Sequence, residues 1–168
     1  MHDELTEVDI KKMKEEIEYR TLVLKPRLIE TLQAARALGD LSENDEYRSA
    51  KRDLNRNYSR INYLNRMINT AVVIKVKDTD DQTVGLFDRV TLWYEEDDEE
   101  GELTIVTTLR NDALNGFVSK ESPVGRALLG RKLGDRVMVK VNDTYSYPVV
   151  IRKIHKGEDD ESLDIMSY

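Results

Sequence analysis

The chain has 168 residues, with 26 Lys and Arg against 33 Asp and Glu, a formal net charge of −7, no cysteine and only two histidines. That excludes a disulfide framework, a thiol nucleophile and a cysteine-ligated metal, and it argues against a histidine-rich zinc centre or a Ser-His-Asp triad. A 39% hydrophobic content is too high for wholesale disorder, and no apolar run approaches the about 20 residues of a membrane helix; the charged N-terminus has no apolar signal core, so the expectation is a soluble cytoplasmic protein.

Apolar residues recur at steps of three and four through Ile10, Met13, Ile17, Leu24, Leu28, Leu32, Ala35 and Leu38, with Thr21 in the one gap. This is one face of an amphipathic helix, close to a heptad seam. Pro26 lies inside it and is expected to remove one backbone hydrogen bond and bend the helix without ending it. A second series runs Tyr47, Ala50, Leu54, Tyr58, Ile61, Leu64 and Ile68. Between the two, Gly39 suits a helix terminus, and Ser42 with Asp45 resembles a capping box for the second helix. A short connection between two long helices predicts an antiparallel hairpin over residues 1–75, projecting about 30–40 Å, with its tip at 39–46.

After Ala71 the period changes. Val72–Val76, Val84–Phe87, Val90–Tyr94, Leu103–Val106, Phe117–Val118, Val137–Val141 and Val149–Ile151 are short β-branched or aromatic runs separated by acidic or Gly/Asn/Asp clusters, which predicts strands and turns. Ser122 to Gly130 reads as one short helix, with Ser122 at the N-cap and Pro123 at its first position. The fold class is therefore α+β: a helical hairpin, then a small, largely antiparallel sheet domain over 76–156 with one short helix, then an acidic tail over 157–168.

Net charge alone argues against a nucleic-acid role, but the charge is unevenly placed. Residues 95–102 hold seven acids and residues 157–168 hold five, with no base in either, and the remainder of the chain is net basic. The run at 95–100 reads as a solvated hairpin loop. At the hairpin tip, Asp40, Glu43, Asp45 and Glu46 crowd four carboxylates into seven residues. Acids favour helix starts for reasons of capping and dipole. Two carboxylates three residues apart at a turn also suit a hard cation such as Mg²⁺, provided that a partner or substrate supplies more ligands. Behind the tip, Arg48, Lys51, Arg52, Arg56 and Arg60 form a stripe on the second helix. A solvated face paired with glutamates and a track for a nucleic-acid backbone both fit it. Gly125 and Gly130 have the spacing of a phosphate-binding loop, but Arg131 and Lys132 stand where Lys and a hydroxyl are needed, so nucleotide binding is rejected.

Ala35-Arg36-Ala37-Leu38-Gly39-Asp40-Leu41-Ser42-Glu43-Asn44-Asp45-Glu46-Tyr47, followed by Ala50-Lys51, closely resembles the tip motif of the bacterial Gre transcript-cleavage factors. Ser122-Pro123-Val124-Gly125-Arg126-Ala127-Leu128-Leu129-Gly130, with Gly134-Asp135-Arg136-Val137, resembles the signature of their C-terminal domain. The resemblance spans roughly residues 5–156. It implies an N-terminal coiled coil and a C-terminal domain similar to FK506-binding proteins. It implies a transcription elongation factor that is not itself an enzyme: it binds bacterial RNA polymerase, inserts the hairpin into the secondary channel and stimulates the polymerase's own cleavage of backtracked RNA. The resemblance maps the catalytic carboxylates to Asp40 and Glu43, sharing Mg²⁺ with the polymerase and binding none tightly alone. Arg36, Gly39, Ser42, Asn44 and Tyr47 would support the tip, and the stripe from Arg48 to Arg60 would face the displaced RNA 3′ end. Ser122, Pro123, Arg126 and Leu128 would dock on the polymerase. No membrane and no small-molecule substrate is expected. Asp45 and Glu46 leave open a family paralogue that fills the channel and inhibits. The domain like FK506-binding proteins alone would suit a folding helper, which leaves the hairpin unexplained.

Overall fold

A computed structural model describes residues 2–39 and 44–167. In chain order the elements are β1 (Glu4–Leu5), α1 (Glu7–Tyr19), a π-helical turn (Arg20–Leu24), α2 (Lys25–Arg36), α3 (Asp45–Thr70), β2 (Val72–Val73), β3 (Arg89–Tyr94), β4 (Glu99–Val106), β5 (Phe117–Ser119), α4 (Pro123–Leu128), β6 (Arg136–Lys140) and β7 (Ser146–His155). The chain divides into two compact units, one of residues 10–71 and one joining residues 2–9 to 72–167.

In the helical unit, α1, the π turn and α2 form one arm and α3 the other. Side-chain contacts link Ala35 to Asn44, Arg20 to Asn57 and Glu16 to Arg60, so sequence separation grows steadily away from the tip, as in an antiparallel hairpin. Pro26 acts as expected in that the arm continues across it. The disturbance is absorbed one turn earlier: Pro26 has no N–H, and the wider turn over Arg20–Leu24 closes with Lys25 N–H donating to the Arg20 carbonyl.

The second unit is a five-stranded sheet in the order β5-β4-β3-β7-β6. It is mixed, not uniformly antiparallel: β4 and β5 run parallel, because a connection with two short 3₁₀ turns returns the chain to the same direction. Val90, Leu92, Ile105, Val137, Val139, Val149 and Ile151 alternate onto one face and form the core with Val84, Leu103 and Leu128. α4 closes that face. Ser122 caps it by accepting from Gly125 N–H (3.1 Å), and Gly125 is required because a Cβ there would lie 2.2 Å from the Ser119 carbonyl.

Several sequence expectations are corrected. The strand expected at Val72–Val76 shortens to β2, which leaves the main sheet and pairs in parallel with β1. That pairing joins residues 2–9 to the second unit. Val84–Phe87 is a turn, because the buried Asp88 carboxylate accepts from Gly85 N–H (2.7 Å) and folds the segment back. The acidic run at 95–100 is only partly a loop, since Glu99 and Glu100 already belong to β4.

The tail is not merely solvated. Gly157 N–H donates to Asp88 (3.0 Å) and Met166 N–H to the Leu109 carbonyl (2.6 Å). Asp159 meets Arg110 at 2.5 Å and accepts from the Thr6 hydroxyl at 2.5 Å. Arg110 is itself fully buried, paired with the buried Asp9 at 2.7 Å and stacked 5.2 Å over the Phe87 ring. Three segments distant in sequence thus converge on one guanidinium. Replacing it leaves two carboxylates in low dielectric without their counter-charge. Arg110→Ala is expected to cost about 3–5 kcal/mol, read as a lower urea midpoint at unchanged slope.

Candidate functional site

The ends of α2 and α3 are joined by a side chain. Asn44 is the N-cap of α3: its Oδ1 accepts from Tyr47 N–H at 3.0 Å. Its Nδ2 donates to the Ala35 carbonyl at 2.8 Å, at the end of α2, where that carbonyl also accepts from Leu38 N–H (3.2 Å). One amide therefore caps α3 and ties its start to the end of α2. The N-cap is Asn44, directly before the first helical residue, and Asp45 and Glu46 occupy the first turn; Ser42, of the expected capping box, lies outside the described residues. Gly39, at φ +114°, takes a backbone conformation that side chains disfavour, and Arg36 ends α2 exposed. Tyr47 is half-buried. Asp40 and Glu43, with Leu41 and Ser42, lie outside the described residues. Among the described residues no three Asp, Glu, His or Cys side chains converge as a metal site.

Below the tip the arms are held by a polar layer that the apolar series passes over. Asn57 is buried; its Oδ1 accepts from Arg20 Nη1 (3.0 Å) and its Nδ2 donates to the Arg20 carbonyl (3.1 Å), the same carbonyl that closes the π turn. Glu16 bridges Arg20 Nε (2.9 Å) and Arg60 Nε (2.7 Å). Burial pushes the Glu16 carboxyl upward, but the two guanidinium groups outweigh it and hold it below its ordinary range. The seam of α3 is thus Ala50, Asn57 and Leu64 at steps of seven, all buried, whereas Tyr58, which the apolar series had placed there, is 39% exposed. On the first arm Met13 and Arg20 share that spacing, and Thr21 is exposed. The signal was present in the sequence: an Asn seven residues from both Ala50 and Leu64 is a register-setting pattern of coiled coils.

The basic stripe splits. Arg48, Lys51, Arg52 and Arg56 are exposed, but Arg60 is only 3% exposed and is committed to Glu16. Arg60 is therefore corrected from the track to a structural ion pair. On α4, Pro123 and Arg126 are exposed, with Arg126 bonded to Glu121 (3.0 Å), while Ser122 serves as the N-cap. Leu128 is fully buried in the core, so it holds α4 down and offers no docking surface.

Two family models match the chain in succession: the N-terminal domain of GreA/GreB transcription elongation factors over residues 4–73 and their C-terminal domain over residues 78–156. The chain is 42% identical over 137 residues to transcription elongation factor GreA of Thermoanaerobacter pseudethanolicus, covering 82% of this chain and 87% of that protein. It is 40% identical over 129 residues to that of Shouchella clausii, covering 77% of this chain and 82% of that protein. The crystal structure of GreA factor homolog 1 from Thermus thermophilus covers 93% of this chain and 100% of that one, at 21% identity and a TM-score of 0.42.

Two outcomes test the tip and its support. Asn44→Ala removes the cap of α3 and the tie to Ala35, and is expected to cost about 1–2 kcal/mol, measured by thermal unfolding. The stability that Glu16 contributes is fully present above its ordinary value of 4.5 and is lost as pH falls through the lower folded-state value. Glu16→Gln is expected to remove that acid-side dependence, followed by helical circular dichroism against pH.

Proposed function

Because the chain belongs to the GreA/GreB family of transcription elongation factors, we propose that it stimulates the RNA polymerase's own cleavage of backtracked RNA, with the hairpin tip inserted into the polymerase's secondary channel. The observation that carries this reading lies beside the tip: Asn44, next in sequence to the segment that contains Asp40 and Glu43, caps α3 at Tyr47 N–H and ties it to the Ala35 carbonyl at the end of α2. Such a clamp suits residues that must be presented at a fixed point in another protein's active site.

The donor set is two carboxylates, hard oxygen ligands that fit Mg²⁺ but are too few to hold it alone. A shared ion would supply charge neutralisation at the scissile phosphate. Asp40 and Glu43 contribute negative charge and hydrogen-bond acceptors where an attacking water must be oriented and its proton received. Behind them Arg48, Lys51, Arg52 and Arg56 face solvent on α3, and they suit the phosphates of the displaced RNA 3′ end. Pro123 and Arg126, exposed on α4, are the residues of that motif left for a polymerase contact. The reacting bond and the remaining ligands belong to the polymerase, so the chain alone is not an enzyme, and its place of action is the cytoplasm.

The exposed first-turn carboxylates Asp45 and Glu46 favour one competing reading, a channel-filling inhibitor. Stalled, backtracked elongation complexes distinguish the two. The wild type is expected to accelerate release of short 3′ RNA fragments, and Asp40→Ala or Glu43→Ala to reduce that acceleration by about 100-fold or more while still competing with wild type for the polymerase. Blocked elongation without added cleavage would replace this reading with the inhibitor.

A further inference from the structure

Tyr94 ends β3 and Tyr147 lies at the start of β7, and their strand partners, Val149 and Val139, are core residues. Residues directly opposite in a ladder share a face, so both rings stand at the rim of the core face, where the apolar layer runs out. Their centroids are 6.3 Å apart and tilted by 31°. Tyr145, in the turn between β6 and β7, adds a third ring 6.0 Å from Tyr147 and tilted by 35°. With Pro148, Glu96 and Asp97 they enclose a groove of about 200 Å³.

The groove is built, not accidental. The Tyr94 ring lies against the backbone of β4 at Gly101, where a Cβ would stand 3.1 Å from its Cε2, so the glycine makes room for it. The turn that carries Tyr145 is fixed by Asn142 Oδ1, which accepts from Thr144 N–H (2.9 Å) and Tyr145 N–H (2.8 Å). The electrostatics have one sign. Tyr145 Oη lies 3.5 Å from Glu96 Oε2, and the negative charge of Glu96, followed by burial, holds the phenol above its ordinary range. The nearby cations are engaged elsewhere: Arg136 with Glu95 at 2.7 Å and Lys140 with Asp143 at 3.4 Å. Among the described residues, Glu96 and Asp97 have no ion pair.

Aromatic faces and carboxylates share a preference for cations, and they disfavour phosphates and acidic peptides. The volume is below that of ordinary small-molecule pockets, about 300–1,000 Å³, and suits one side chain. Among cationic side chains the guanidinium is planar, weakly hydrated and able to stack on a ring while donating to carboxylates at its edge. We propose that the Tyr94–Tyr145–Tyr147 groove, rimmed by Glu96 and Asp97, docks an arginine presented by a basic segment of a partner protein. This site uses the acidic turn after β3, to which the tip chemistry gives no role.

The test is a titration of the full chain with a blocked peptide of alternating glycine and arginine, followed by calorimetry and by the tyrosine ring resonances. Saturable binding is expected, with shifts at Tyr94, Tyr145 and Tyr147, and with no binding of the citrulline peptide, which keeps the shape and lacks the charge. Tyr145→Ala is expected to weaken binding by about 10-fold, and Tyr145→Phe, which keeps the ring, to retain it. Tyr145 is 49% exposed, so both variants are expected to fold. Glu96→Gln with Asp97→Asn is expected to weaken binding and flatten its salt dependence. Unchanged affinity in Tyr145→Ala, equal binding of the citrulline peptide, or no saturation would overturn the proposal.

Discussion

The geometry of the hairpin rests on the hydrogen bonds between Asn57 and Arg20. Few apolar side chains of the hairpin are buried, among them Met13, Ala35, Ala50 and Leu64, and an apolar seam of that kind tolerates slippage between the arms. A buried amide does not, because any shift leaves it unsatisfied. Asn57 meets both the side chain and the carbonyl of Arg20, and that carbonyl also receives Lys25 N–H. The π turn forced by Pro26 thereby becomes an indexed feature: it presents an acceptor at one height only. Glu16 and Arg60 extend the layer, and Asn44 closes the far end. The register of the arms sets which residues of α2 and α3 meet, so the Asn44–Ala35 tie is in step with a polar layer further along α3.

The second unit uses the same device more deeply. Arg110 collects Asp9, Asp159 and the Asp160 carbonyl, so segments near both ends of the sequence depend on one cation. Asp88 does comparable work nearby, accepting from Gly85 and Gly157 while pairing with Lys156 at 2.5 Å. Buried charges of this kind add little net stability, because their desolvation offsets much of their attraction, yet removing one partner strands the other. Asp159 in the tail is a structural ligand, and its neighbours continue a chain that is already pinned.

Charge therefore falls into three roles in this chain. Glu16, Asp9, Asp88 and Asp159 are partnered inside the fold. Arg48, Lys51, Arg52 and Arg56 remain on a solvent face of α3, where a polyanion can reach them. Glu96 and Asp97 face a tyrosine groove. A composition average merges these, and the pattern along the chain separates only the second from the others.

The amino-acid sequence by itself determined the helical hairpin, the switch to strands after Ala71, α4 with its Ser122 cap, and the tip motif, because each is written in local periodicity, capping residues or a contiguous signature. Those signals act between residues a few positions apart. Tertiary structure decided what depends on distant partners: that β2 leaves the sheet to meet β1, that β4 and β5 run parallel, and that the acidic tail folds back onto Arg110. It also decided which members of a motif are exposed and which are buried. Arg60 and Leu128 fit their sequence patterns as well as their neighbours do, yet one is spent on Glu16 and the other on the core. Burial is set by whatever packs opposite, and no spacing along the chain records it.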